Sequence, residues 1–284
     1  MFVAVTGGLF ALAVATNCGG SSGGTRNGLG GTNGFGGSTG LGGNGTAGMT
    51  GGGTGGVVVN QCPLGGVLDC TAPLMLGDGV VTDFSAMQWS NSLGKYCDSS
   101  GLRGSPFGFV GVSTGDAGQV YAGTASVDTT AHNLKINLSV APSSYAGAGI
   151  SFESCVDASA YNALQFSAAI TSGSLDGCVW QVQLQTQDQR PTTQTSPTGG
   201  TCDSTATTCY RFPAATMLAN PGATPMTMTI PFANFTQNAE TTMAKQVVGI
   251  QFQANSAPPV DPDGGAQLSC TVEIRIDDIK FVTQ

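Results

Sequence analysis

Histidine is almost absent from this 284-residue chain, His132 being its single copy. Metal sites built from several imidazoles are therefore excluded, and any Ser/His/Asp triad would have to use that one residue. Charge is scarce as well: 9% of residues are Asp, Glu, Lys or Arg, against roughly 25% in an ordinary soluble domain. The 9 basic and 17 acidic residues leave a net charge of -8. A nucleic-acid binder needs a clustered basic surface to neutralise phosphates, so this balance argues against one, and it equally disfavours membrane binding through a polybasic patch. Glutamate is reduced to Glu153, Glu240 and Glu273. A glycosidase sets two carboxylates across the scissile bond, and nothing in the spacing of Glu153 and Glu273 brings them together. No GxSxG, HExxH or P-loop motif occurs. The expectation is a protein that is not an enzyme.

Glycine is abundant instead, and it is concentrated. Residues 19–56 hold 20 of the 44 glycines among Ser, Thr and Asn. Such a stretch buries too little apolar surface to offset backbone entropy and reads as a flexible tether. Ahead of it, residues 2–15 are apolar or small and uncharged, too short for a membrane span and suited to a signal-peptide core. The run ends at Ala15-Thr16-Asn17-Cys18, which resembles a bacterial lipobox, although Asn17 departs from the usual Gly or Ala. The organisation expected is thus 1–18 signal peptide, 19–56 tether and 57–284 one folded domain. The only membrane attachment would be through lipid on Cys18, giving an outer-membrane or cell-surface location, otherwise an extracellular one.

Cysteine parity agrees. Nine is an odd number for an exported protein; assigning Cys18 to lipid leaves Cys62, Cys70, Cys97, Cys155, Cys178, Cys202, Cys209 and Cys270. Spacing favours the local loops Cys62–Cys70 and Cys202–Cys209, with Cys97–Cys155 and Cys178–Cys270 as one pairing of the remainder. Eight cysteines leave the connectivity open.

The domain reads as strands. Period-two alternation recurs at 79–84, 107–112, 132–140, 147–153, 162–170, 178–187, 225–231, 246–254 and 270–281, between clusters of Gly, Pro, Ser and Asn. About nine short strands mean an all-β sandwich or barrel, and a two-sheet, disulfide-braced jelly roll is expected. The inward sets are Leu134, Ile136, Leu138 and Val140; Leu164, Phe166, Ala168 and Ile170; Trp180, Val182 and Leu184; and Val248, Ile250 and Phe252. The opposite faces carry Asn137, Gln165, Gln181, Gln183, Gln185, Gln251 and Gln253. These neutral amides both donate and accept, as sugar hydroxyls do. In 270–281 the apolar phase slips at Asp277-Asp278, which predicts a bulge.

The segments Thr82-Asp-Phe84, Tyr161-Asn-Ala-Leu-Gln-Phe166, Val179–Leu184, Thr229-Ile-Pro-Phe232, Val248-Gly-Ile-Gln-Phe252 and Ile274-Arg-Ile-Asp-Asp-Ile-Lys-Phe281 occur in an order that resembles the galactose-binding-like jelly rolls. Among these the chain is most similar to carbohydrate-binding modules of the family 11 type. The resemblance implies a polysaccharide partner held, without cleavage, in a groove across one sheet. It also implies that strands 132–140, 246–254, 162–170 and 178–187 lie side by side, gathering all seven amides into one strip. Trp89 and Tyr96 lie in a Ser/Asn/Gly-rich loop, Trp89 being the candidate stacking platform, with Tyr121, Tyr145 and Tyr210 as further aromatic candidates at strand ends or loops. The resemblance further implies a structural calcium where first and last strands meet, at Asp83 with Asp277 or Asp278; calcium takes about six to eight oxygens. Arg190 and Arg211 bracket the Cys202–Cys209 insert; either could fork onto vicinal sugar hydroxyls, but surface pairing with Asp188 or Asp203 is the expected role. Two rival functions stand beside glycan binding: a structural or adhesive surface protein that contacts other proteins, and a glycoside hydrolase or lyase on the same scaffold.

Overall fold

The computed structural model describes residues 67–85, 96–97, 101–111, 122–194, 197–203, 209–239, 243–257 and 268–284. The signal-peptide and tether segments, Cys18, Cys62, Trp89 and Tyr121 lie outside the described residues, as do the side chains of Tyr96 and Cys97.

The described residues form thirteen strands: β1 (Leu74–Met75), β2 (Val80–Thr82), β3 (Tyr96–Cys97), β4 (Arg103–Gly111), β5 (Ala122–Asp128), β6 (Asn133–Val140), β7 (Tyr145–Asp157), β8 (Ala163–Ser174), β9 (Cys178–Thr186), β10 (Ala214–Thr216), β11 (Met226–Pro231), β12 (Val247–Ser256) and β13 (Cys270–Val282). Only short 3-10 turns, such as Gln187–Gln189, interrupt them. Among the described residues no helix is long and apolar enough to cross a membrane.

Two sheets result. The first runs β10-β9-β12-β7-β4-β3, with β1 added to β7; the second runs β11-β8-β13-β6-β5, with β2 added to β13. From β6 to β9, and again from β11 to β13, consecutive strands alternate between sheets. Each sheet therefore consists mostly of antiparallel neighbours distant in sequence, the arrangement of a jelly-roll sandwich. The inner faces are the predicted ones. Leu134, Ile136 and Leu138 of β6, Leu164 and Phe166 of β8, Trp180, Val182 and Leu184 of β9, and Ile250 and Phe252 of β12 are all buried. Trp180 packs edge-on against Phe166 of the facing sheet and stacks on Phe252 of its own.

Val248 departs from its expected inward place. The β12 ladder shifts register between Val247 and Gly249, so Val247 takes the core position. Val248 joins Leu68 and Cys155 in a separate small cluster. The predicted bulge in β13 is present, as a register shift between Asp277 and Lys280 against β8.

Three disulfides are described. Cys178–Cys270 joins the starts of β9 and β13 and so ties one sheet to the other; Cys202–Cys209 closes a short loop, as spacing suggested. Cys70, however, bonds Cys155 on β7 across 85 residues. The expected local pair Cys62–Cys70 and the pair Cys97–Cys155 are therefore both incorrect. Sequence proximity misled here because parallel pairing of β1 with the end of β7 carries the N-terminal segment back onto that strand.

Candidate functional site: an amide ladder facing an aromatic ledge

Side chains on the outer face of the first sheet fall into rows that cross the strands. One row contains Ala214, Gln183, Gln251, Gly149 and Phe107, and the next contains Thr216, Gln181, Gln253, Gly147 and Phe109. Flanking rows hold Gln185, Gly249, Ser151 and Ser105 on one side, and Val179, Asn255, Tyr145 and Gly111 on the other. Amides thus occupy β9 and β12, bare glycines occupy the middle of β7, and aromatic rings occupy β4.

The amides are wired to one another. Gln185 Nε2 donates to Gln251 Oε1 (2.8 Å), Gln251 Nε2 to Gln183 Oε1 (2.5 Å), Gln183 Nε2 to Gln253 Oε1 (3.2 Å) and Gln253 Nε2 to Asn255 Oδ1 (2.7 Å). Gln181 Nε2 donates to Thr216 Oγ1 and to Gln237 Oε1. An amide offers two N–H donors and an oxygen with two lone pairs. Each inner member of the ladder spends one of each on its neighbours and keeps one donor and one acceptor. Gln183, Gln185 and Gln251 are 8%, 8% and 5% exposed, so they form the floor. Gln181, Gln253 and Asn255 are half-buried and present the accessible amides.

Opposite them, the Phe107 and Phe109 rings lie 6.1 Å apart and nearly parallel, and Tyr145 follows 6.2 Å from Phe109. All three are half-buried. A Cβ on Gly147 would stand 2.1 Å from the tip of the Phe109 ring, and one on Gly111 would stand 1.9 Å from the Tyr145 ring. Glycine at these two positions is what lets the rings lie down on the sheet. The only ion pair described on this face is Arg103–Glu153 (3.3 Å), beyond the Ser105 row.

Asn137 and Gln165 are not part of this assembly. Both project from the second sheet: Asn137 sits opposite Glu273, and Gln165 donates to Thr229 (2.9 Å). The expected side-by-side order of four amide strands holds only for β9 and β12. β13 lies between β6 and β8 and holds both in the other sheet. Alternation reports which face a residue takes but not which sheet it belongs to. The outer face of the second sheet is charged, with Lys135–Glu273 (2.5 Å), Arg275–Asp128 (2.7 Å) and Arg275–Glu273 (3.7 Å). Backbone N–H groups of Ala131 and Thr130, together with Arg275, hold Asp128 down at about 2. Lys135 and Thr171 likewise hold Glu273 below the usual carboxylate range. Glu153 and Glu273 thus stand on the outer faces of opposite sheets and cannot flank one bond.

Phe107 and Phe109 are the residues that sequence reasoning missed. The available signal was the Phe-Gly-Phe of β4 together with the Gly-Ala-Gly of β7, a pattern that leaves one face bare beside two rings. Trp89 lies outside the described residues.

Asp83, Asp277 and Asp278 gather at the seam of β2 and β13. Burial, then the charges of Asp278 and Asp83, push Asp277 up to about 6. Asp83 Oδ1 accepts from Ser85 N (2.9 Å) and Asp277 Oδ1 from Asp278 N (2.8 Å), so each has one oxygen already engaged. Among the described residues no group of three or more His, Cys, Asp or Glu side chains is placed to hold a metal ion. A raised folded-state value means that the native state binds more protons than the unfolded chain between about pH 4 and 6. Stability therefore falls as pH rises through that window. Asp277→Asn is expected to melt higher than the parent at pH 7.5 in EDTA and alike at pH 4; the effect is modest because the group is only half-buried. Repeating the pH 7.5 measurement with calcium tests the calcium expectation, which requires a calcium-dependent rise in the parent that Asp277→Asn lacks.

No family model matches the chain, and no curated protein matches it. Similar solved structures include the family 11 carbohydrate-binding module of the cellulosomal cellulase Lic26A-Cel5E of Clostridium thermocellum (12% identity, 74% of this chain and 96% of that one, TM-score 0.36). The surface glycan-binding protein PbSGBP-B of Prevotella bryantii is similar over 72% of this chain and 56% of its own (14% identity, TM-score 0.36). A β-1,2-glucanase of Parabacteroides distasonis is similar over 72% of this chain and 25% of its own (13% identity, TM-score 0.35). These likenesses concern the sandwich architecture and assign no residue.

Proposed function

We propose that this protein binds a neutral polysaccharide, without cleaving it, along the outer face of the first sheet. The observation that carries the reading is the juxtaposition of amides and rings across a glycine-floored strip. Gln181, Gln253 and Asn255 meet sugar hydroxyls with uncharged donors and acceptors, and Phe107, Phe109 and Tyr145 offer faces to the C–H side of pyranose rings. Uncharged hydrogen bonding combined with stacking suits a ligand that is polar at its edges and apolar on its faces. The test is a glycan array probed with the intact protein. Retention of one or more neutral polysaccharides, with no release of reducing ends on incubation, is expected. Binding to no glycan would sink the reading, and release of reducing ends would replace it with the hydrolase reading.

We further infer that lipid on Cys18, followed by the glycine-rich tether, holds the domain at a cell surface. A single acyl chain anchors only marginally and several anchor stably. The intact precursor expressed in bacteria should partition into detergent and incorporate a fatty-acid analogue, and Cys18→Ser should abolish both.

A further inference from the structure

Arg190 does not take the surface pairing expected of it. It follows the turn Gln187–Gln189 at the end of β9, and it is 2% exposed. Neither its Nε nor its Nη1 has a hydrogen-bond partner. Asp188, two residues away, is exposed and accepts from Thr201 Oγ1 (3.1 Å) instead. The group that faces Arg190 electrostatically is the phenol of Tyr210, a residue 36% exposed and set edge-on to Phe212. Gln189 Oε1, also buried, has no partner.

The backbone around this guanidinium is pinned. Arg190 N donates to Gln187 O (3.1 Å), Cys202 N to Arg190 O (3.0 Å) and Tyr210 N to Gln189 O (2.8 Å), and the Cys202–Cys209 disulfide joins the two flanks. Burial lowers the guanidinium to about 10, which leaves it charged at neutral pH. A buried cation with unmet donors is costly and is ordinarily matched by an anion. Among the described residues no carboxylate forms an ion pair with Arg190.

We propose that Arg190 and Gln189, with Tyr210 beside them, form a subsite for the carboxylate of a uronic acid. A guanidinium matches a carboxylate in shape and charge. The unpartnered Gln189 oxygen narrows the choice, because it needs a donor on the ligand. A uronic acid carries hydroxyl donors beside its carboxylate, whereas fully ionised sulfate carries none. For polymers the proposal rests on the glycan-binding reading above, and it extends that reading to chains carrying acidic residues.

Thermal melting of the full-length protein tests it, with sodium glucuronate, glucose plus sodium chloride, and sodium sulfate at matched ionic strength. At about ten times its dissociation constant, glucuronate should raise the melting midpoint by roughly 3–6 °C, more than either control. Arg190→Gln should lose that excess while melting no lower than the parent without ligand, since an unmatched buried charge has gone. Gln189→Leu keeps the charge and should lose the preference for glucuronate over sulfate. No excess in the parent, an excess that survives Arg190→Gln, or a preference unchanged in Gln189→Leu overturns the subsite. If Arg190→Gln does not fold, the parent and Gln189→Leu comparisons still decide. Retention of neutral polysaccharide by the parent reads the amide face separately: its loss with a glucuronate excess intact sinks the groove and leaves the subsite standing.

Discussion

Trp180→Ala is expected to lower the stability of the domain by about 3–5 kcal/mol. Trp180 is 1% exposed, and its ring meets Phe166 (6.3 Å, 85°) across the sandwich and Phe252 (6.2 Å, 25°) within its own sheet. Phe166 and Phe252 themselves touch at 5.2 Å, so the three rings form the aromatic contact between the sheets. Alanine would leave a void that neither neighbour fills without leaving its rotamer. For a domain of this size the loss corresponds to a fall in melting midpoint of roughly 6–20 °C. Trp180→Phe should cost far less, because it keeps a ring in place and removes Nε1, a buried donor with no hydrogen-bond partner. Trp89 and Trp180 are the only two tryptophans, so denaturation of either variant can be followed by the emission of Trp89 and by circular dichroism. A Trp180→Ala protein that keeps its denaturation midpoint but loses glycan binding would show that this ring faces the ligand, and would overturn the orientation of β9.

Replacing Phe109 and Gln253 together by alanine should produce the largest loss of binding. Phe109 offers a ring face, worth about 0.5–1.5 kcal/mol in aromatic contacts, and Gln253 offers a donor and an acceptor, each worth about 0.5–1.5 kcal/mol. The sum, about 1.5–4.5 kcal/mol, is a roughly 10- to 1,600-fold weaker dissociation constant. Gln253→Ala also takes away the acceptor of Gln183 Nε2, so the melting midpoint should fall modestly as well. The contrasting pair is Gln183→Ala with Gln251→Ala. Those amides lie under the accessible row, and removing them leaves Gln185 Nε2 and Gln253 Oε1 without ladder partners. Each orphaned buried group costs about 1–3 kcal/mol. Both pairs should lose some stability, and the loss of affinity is expected from the first. Affinity unchanged in Phe109→Ala with Gln253→Ala, measured by titration calorimetry on a retained polysaccharide, would remove the ligand from this face.

Much of the fold was legible in the sequence because alternation is a local property. All nine strands read from period two are present, and so is the bulge at Asp277. The four that escaped are short or lack an apolar stripe. β1 and β3 have two residues each and β10 has three, while β5, Ala122–Asp128, is an edge strand with no buried side chain. What alternation cannot carry is pairing between distant segments. Asn137 and Gln165 have the same pattern as Gln183 and Gln251, yet they look out from the other side of the sandwich. Cys70 reaches Cys155 for the same kind of reason, and no spacing rule finds it. Phe107 and Phe109 went unassigned because glycine and valine fill the rest of strand 107–112, which offers no clear inward set. It is the glycines of β7, two strands of sequence away, that turn them into a surface ledge. The burial of Arg190 escaped because Asp188 and Thr192 beside it are polar and exposed, whereas Cys202 and Tyr210, farther along the sequence, bond back to the backbone of Arg190 and Gln189.

The last strand is also the central one. β13 lies between β8 and β6 and also pairs with β2, so the second sheet has no middle until residues 270–282 are present. A nascent chain emerging from the ribosome can form hairpin-like fragments but cannot close the second sheet until residues 270–282 have emerged. Pairings of such wide sequence separation fold slowly. Topology thus delays closure of this sheet, and it makes β13 the piece whose arrival commits the molecule to its shape. The same topology makes a copy truncated before Cys270 a chain with two unpaired inner edges, open to joining a second such copy.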